Sequence, residues 1–175
     1  QKKSAVFDSK KFSWVSSQYL LKQDPNTILQ SIRSLEPSWG ANKTEDFCMR
    51  VIDLMIPRCN FIGDIIKKSH YFFDYPKGYN VDDQKKVWKE KTGIILKDIM
   101  KLYEKVDCQN HQGLEGLFKE YIKSSGHGFG QVMKPMRLAI CGSLTGPSLF
   151  DLMELIGIYD SLKRINIYKN KFNND

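Results

Sequence analysis

Nowhere in this chain of 175 residues do five or more positions alternate cleanly between apolar and polar, which excludes the half-buried strand from which most sheets are built. Apolar side chains recur instead at spacings of three and four. Leu114, Leu117, Phe118, Tyr121 and Ile122 make one face of a helix. Phe61, Ile62, Ile65, Ile66, Ser69, Phe72 and Phe73 make another. The expected fold class is therefore all-α.

Capping signals divide the helices. Asp24 ahead of Pro25 opens a helix running to about Leu35. Asn42 with Glu45 three residues on forms a capping-box-like start for "TEDFCMRVIDLMI", which must stop near Pro57, and Asn60 caps the next helix. A long helix is expected from about Asp82 to Val106, bent at Gly93. Another starts near Gly113 and closes at Gly126, and the one after "GHGFG" runs to about Cys141. Pro147 takes the first position of the following helix, Gly157 closes it, and Asp160 caps a last helix that frays into "YKNKFNND". The break "EPSWGANK" separates a small leading element from a helical body over about 40–168.

The net charge of +7 and a pI near 9.1 favour a polyanionic partner, since each phosphate neutralised releases counterions. Of the 27 cations only five are arginine: Arg33, Arg50, Arg58, Arg137 and Arg164. In so lysine-heavy a chain, an arginine is expected where its planar two-pronged fork is needed. Cys48, Cys59, Cys108 and Cys141 match neither a zinc pattern nor a CxxC redox motif and read as buried thiols of a reducing compartment. No window approaches the ~18 apolar residues of a membrane span and the start "QKKSAVFDSKK" lacks a signal-peptide core, so a soluble chain with no membrane partner is expected. Lacking an initiator Met, it reads as a piece of something longer.

No catalytic or metal-binding constellation is visible. His70, His111 and His127 fall on different segments with no carboxylate or Cys at ligand spacing, and suit surface or capping roles. "GHGFG" neither follows a strand nor ends in Lys-Ser, so it reads as an interhelix turn and not a phosphate loop. Two arginines stand out by position. Arg58 leaves the corner between Pro57 and Asn60, either to bond the carbonyls of the helix ending there or to present its fork outward. Arg137 sits in an apolar run one turn before a loop leading to Pro147, where N–H groups at 148 and 149 would face it; it either meets Asp151 or Glu154 or faces a ligand.

The stretch "FGQVMKPMRLAICGSLTGPSLFDLMELIG" resembles the C-terminal anticodon-binding region of bacterial and organellar glutamyl-tRNA synthetases, matching at Gly130, Val132, Pro135, Arg137, Gly142, Pro147, Leu149, Phe150, Leu155 and Gly157 without gaps. "AVFDSKKFSWVSSQYL" is similar to the family's connector through Phe7, Asp8, Lys11, Trp14 and Tyr19, with Phe12 and Ser16 departing from it. "LMIPRCNFIGDIIKKSHYFF" resembles the family's Pro-Arg segment, and the likeness is weakest over about 77–112.

The resemblance implies a helical cage of two small subdomains gripping the anticodon loop: connector helices over 1–39, a first subdomain over 40–110, and a second with a basic tail over 111–175. It implies that Arg58 reads the third anticodon base, that Arg137 lies near the first, and that Gly146 and Leu149 share a reading loop with it. Where this chain has Gly146 the family often has Thr. The partner implied is tRNA(Glu), joined by tRNA(Gln) where a parent charges both, and a monomer is expected. The catalytic part, with its HIGH-like and KMSKS-like signatures, is not present here. ATP and Mg belong to that part, and no cofactor is expected in this one. A composition rich in Lys, Ile and Asn further suggests an A/T-rich genome and an organelle such as a mitochondrion or plastid. The rival reading is a basic helical module that docks proteins, with both arginines paired internally.

Overall fold

The computed structural model describes residues 8–107 and 109–172. Among them are ten α-helices and no strand, as the spacing predicts. Contacts divide the chain into two compact units, 1–70 and 71–175. That division falls at neither 39/40 nor 110/111. Side chains bridge both of those points: Trp39 Nε1 donates to buried Ser69 Oγ at 2.8 Å, and the Tyr103 hydroxyl donates to the Leu114 carbonyl at 2.8 Å.

The first unit holds α1 (Ser9–Lys22), α2 (Pro25–Leu35), α3 (Glu45–Met55), a 3₁₀ turn Ile56–Arg58, and α4 (Ile62–Lys68). Asp24 caps α2 by accepting from Thr27 N at 3.1 Å, with Pro25 in the first turn where its missing N–H costs nothing. The expected cap of α3 is displaced by two residues: Thr44, not Asn42, accepts from Phe47 N at 3.2 Å. Asn60 does not cap α4 either. Its N–H and that of Phe61 donate to Asp64 Oδ2 at 3.0 and 3.3 Å, so the acid inside the helix closes the turn, and these bonds pull the Asp64 pKa down although burial opposes them. Ile28, Ile32, Val51, Ile52 and Ile65 form the core. The long stripe drawn through Phe61 to Phe73 ends early, because α4 stops at Lys68 and Phe61 is exposed.

The second unit holds α5 (Val81–Val87), α6 (Thr92–Tyr103), α7 (His111–Ser125), α8 (Phe129–Cys141), α9 (Leu149–Ile156) and α10 (Ile158–Phe172). The single bent helix expected over 82–106 is two helices. Thr92 Oγ1 accepts from Lys89 N at 2.8 Å and donates to the Val87 carbonyl at 3.3 Å, building an elbow upstream of Gly93. Asn110 caps α7, and Gly126 and Gly142 end α7 and α8 in the left-handed conformation at φ 71°. Pro147 precedes α9 rather than entering it; Ser148 is the cap, accepting from Asp151 N. The last helix begins at Ile158, ahead of Asp160, and does not fray at Tyr168: that residue is fully buried and packs edge-on against Tyr79, Trp88 and Phe172.

α10 lies against α6 and α8, and α7 against α9. Phe118 joins the two pairs through Phe129 and Phe150, at ring separations of 5.2 and 5.4 Å. Buried Arg164 of α10 donates through Nη1 to the main-chain carbonyls of Tyr71 and Ile140, and its guanidinium lies 5.0 Å from the Tyr75 ring. Ile140 is in the last turn of α8, whose free carbonyls carry the negative end of the helix dipole. Burial lowers the Arg164 pKa, and Asp160 foremost offsets it.

Cys48, Cys59 and Cys141 are free and buried, and Cys108 lies outside the described residues. Burial pushes Cys59 and Cys141 up to about 11 from an ordinary value of 9.0. At pH 8 these two thiols should resist iodoacetamide in the folded chain and react in denaturant, read by peptide mass mapping; fast native alkylation of Cys141 would contradict its burial. Because the unfolded thiol ionises first, the Cys141 contribution disappears as pH rises from about 9 to 11, at most about 2–3 kcal/mol. Replacing Arg164 with Met leaves the Tyr71 and Ile140 carbonyls without their donor and should cost about 1–3 kcal/mol in urea unfolding. A neutral Arg164→Met would show that these bonds add nothing net.

Candidate nucleic-acid interface

The five arginines divide by environment. Arg33 pairs with Glu45 at 3.4 Å on the surface, and Arg164 is engaged by main-chain carbonyls. Arg50 is exposed on α3. Arg58 and Arg137 have neither a hydrogen bond nor an ion pair among the described residues.

Arg58 closes the 3₁₀ turn in the first unit. Its neighbours in sequence anchor it: Ile56 is 9% exposed and Cys59 2%, and the Cys59 N–H donates to the Ile56 carbonyl at 3.2 Å. The side chain is exposed and does not fold back on the carbonyls of α3, so of its two possible roles the inward one is not what forms. A fork projecting from a pinned corner loses little entropy on pairing.

Arg137 lies on α8 in the second unit, half-buried, with Nη1 fully enclosed and unbonded. The two acids expected to neutralise it are engaged elsewhere. Asp151 meets His111 Nδ1 and Glu154 accepts the His111 N–H at 2.6 Å, tying α9 to the start of α7. His111 thus has Glu115 of its own helix at 3.8 Å, a carboxylate four residues on that the sequence reading passed over, and further carboxylate partners from a helix 40 residues away. Among the described residues no group of three His, Cys, Asp or Glu could hold a metal ion.

Gly146 sits against this arginine. A Cβ built on it would stand 3.3 Å from Arg137 Nη1 and 3.2 Å from the Tyr71 hydroxyl, with φ at 153°. Tyr71 is a member of the site that sequence reasoning missed; the only signal was its place in the aromatic run "HYFF". Leu149 proves different in kind. Its side chain is 1% exposed and belongs to the core, so what it can offer a ligand is a main-chain N–H at the helix start. With Ser148 as cap, the leading N–H groups are those of Leu149 and Phe150, one residue beyond the pair expected. Arg137 and Gly146 are therefore brought together, Leu149 follows on the same loop-to-helix junction, and Arg58 belongs to the other unit.

A guanidinium without an acid partner among the described residues, outward at Arg58 and partly enclosed at Arg137, suits ligands rich in paired acceptors. Comparison with known proteins gives the class: the family model described as "Anticodon binding domain" matches residues 26–169, and the chain belongs to that family. Its relatives are glutamate–tRNA ligases. That of Flavobacterium johnsoniae is 30% identical over 164 residues, covering 94% of this chain and 32% of the relative. That of Porphyromonas gingivalis strain W83 is 31% identical over the same shares. The crystal structure of a glutamate tRNA ligase from Elizabethkingia meningosepticum in complex with its amino acid superposes with a TM-score of 0.86 at 27% identity, over 97% of this chain and 34% of that one. The chain thus spans about a third of the length of these relatives. No described helix is long and apolar enough to cross a membrane.

Gly146→Thr should test how tightly the corner is built. The φ disfavours any side chain and the space is occupied, so a loss of about 1–3 kcal/mol is expected in thermal or urea unfolding, with changed tyrosine fluorescence as Tyr71 shifts. Unchanged stability would mean that the loop relaxes freely.

Proposed function

We propose that this chain reads the anticodon loop of tRNA(Glu) as part of a glutamate–tRNA ligase, acting as a monomer. The observation that carries this is the pair of arginines without a hydrogen bond or ion pair among the described residues, Arg58 and Arg137, in a chain matched along most of its length by an anticodon-binding family. The protein-docking alternative required both to be paired internally, and neither is. The rest of the ligase would supply ATP-dependent activation of glutamate with Mg and its transfer to tRNA. That parent would work in translation, in an organelle if the A/T-rich composition reflects its genome.

Unstacked anticodon bases expose their Watson–Crick edges. A guanidinium fork finds two acceptors, N3 and O2, on cytosine, whereas the same edge of guanine offers mainly donors. Arg58 assigned to the third anticodon base would therefore favour C, the base that separates tRNA(Glu) from tRNA(Gln). Arg137, with Nη1 enclosed beside Gly146 and Tyr71, would take an acceptor of the first base, helped by the leading N–H groups of α9. Lysines supply phosphate affinity without sequence information.

The test is binding of the chain to two anticodon stem-loops, one of tRNA(Glu) and one with its third base changed from C to G, at two salt concentrations. The expected result is a preference for C, reduced by Arg58→Gln about 10- to 100-fold, the scale of one bidentate base contact. An Arg58→Gln chain with the preference intact would remove Arg58 from readout. Equal salt-sensitive binding of both loops by the unaltered chain would indicate a parent that charges both tRNAs.

A further inference from the structure

Outside the arginine corner, the second unit carries a cleft of about 420 Å³ lined by four lysines beside neutral residues. One wall is the elbow between α5 and α6, bearing Lys86, Lys89 and Lys91; the other is the start of α8, bearing Lys134, with His127 and Gly128 just ahead of it. All four lysines are exposed, and none forms an ion pair among the described residues. No Asp or Glu lines the cleft among the described residues, although Glu90 lies between two of the lysines in sequence.

Both walls are fixed. The Thr92 hydroxyl bonds Lys89 N and the Val87 carbonyl, so Lys89 and Lys91 project from a locked turn, and Lys89 Nζ rests 3.1 Å from the Lys85 carbonyl. Across the cleft, Gln131 Oε1 accepts the Gly128 N–H at 2.8 Å and closes the first turn of α8. The Lys134 stem leans back over Gly130, whose missing side chain leaves the approach to the helix start open; a Cβ there would lie 3.7 Å from Lys134 Cε. The floor residues Val87, Thr92 and Ile95 are buried, and the exposed ammonium nitrogens on the walls belong to the lysines. Four cations around a concavity repel one another and gain by sharing an anion.

We infer that this cleft binds a backbone phosphodiester of the RNA, at a point separate from base readout, and the inference rests on the RNA-binding reading above. Its signature differs from that of Arg58. A lysine–phosphate pairing contributes to the salt dependence and weakens all sequences alike when removed. Lys89→Gln combined with Lys134→Gln should bind the C and G stem-loops more weakly by the same factor, on the order of tenfold near 50 mM salt. The log–log salt slope should become shallower by about 0.7 for each single-strand phosphate no longer neutralised, or about 0.9 for each phosphate of the duplex stem.

The experiment pairs these titrations with amide NMR of the unaltered chain. Gly128 and Gly130 resonances should move on adding the stem-loop and stay put with inorganic phosphate at matched ionic strength. If the unaltered chain binds the hairpin but the double variant keeps its affinity and slope, the cleft does not touch the RNA, while the anticodon reading stands. Movement with inorganic phosphate but not with the hairpin would overturn the RNA assignment in favour of a small anion. Failure of the unaltered chain to bind any hairpin at low salt would overturn both readings together.

Discussion

The second unit depends on where one buried cation, Arg164, sends its hydrogen bonds. Taking a guanidinium out of water is costly, and among the described residues no carboxylate meets it directly: Asp160 accepts instead from the Tyr75 hydroxyl at 3.0 Å and acts on Arg164 through the field. Compensation comes from dipoles, namely two main-chain carbonyls, the face of Tyr75 and the negative end of α8. Those carbonyls are not interchangeable with others. Ile140 is three residues along α8 from Arg137, and Tyr71 is the residue whose hydroxyl flanks Gly146. Fixing both main-chain points from α10 sets the backbone on which the open guanidinium and its tyrosine neighbour stand.

This gives the arginines different tasks within one chemistry. Arg164 spends Nη1 on two main-chain carbonyls, with its Nε buried and unbonded among the described residues, and becomes scaffold. Arg137, on the helix whose end Arg164 braces, is left with an enclosed nitrogen and no acceptor. The two acids expected from sequence to meet it, Asp151 and Glu154, are engaged by His111 in a tie between α7 and α9. The lysines remain outside this partition, because a flexible ammonium is satisfied by water and acts through charge and not shape.

Fold class was legible because helical periodicity is a property of many residues together and tolerates local misreading. Helix ends were legible where the cap is adjacent and unambiguous, as at Asp24–Pro25, Gly126 and Gly142. They were misread where two polar residues compete within a few positions: Thr44 prevailed over Asn42, Ser148 over Pro147, and Asp64 closed a turn expected of Asn60. The elbow at 88–91 was missed because Thr92 reads as a helix residue, and only its hydroxyl, bonding backward, shows that the chain has turned. Arg58 and Arg137 stood out by residue type against a lysine background. Tyr71 did not, since its proximity to Gly146 arises from tertiary packing across 75 residues, and Leu149 showed its place in the motif but not that its side chain faces the core.

An enclosed donor without an acceptor is unfavourable by about 1–3 kcal/mol, and a chain keeps such a group only where something else offsets it. On the proposed reading that offset comes at the base edge. An acceptor placed at Arg137 relieves a penalty already present in the free chain, so its net contribution exceeds that of a surface contact, which must first displace water. A base presenting a donor there relieves nothing and adds repulsion. On that reading discrimination arises from the state of the site before binding, and a side chain at Gly146 would press on Nη1 and on Tyr71. The lysine cleft at the start of α8 has the opposite logic: its cations are solvated beforehand, so an anion there adds affinity through counterion release and is indifferent to which base the sugar carries. On these proposals one helix would present, about one turn apart at Lys134 and Arg137, a site whose attraction is sequence-blind and a site that selects an acceptor.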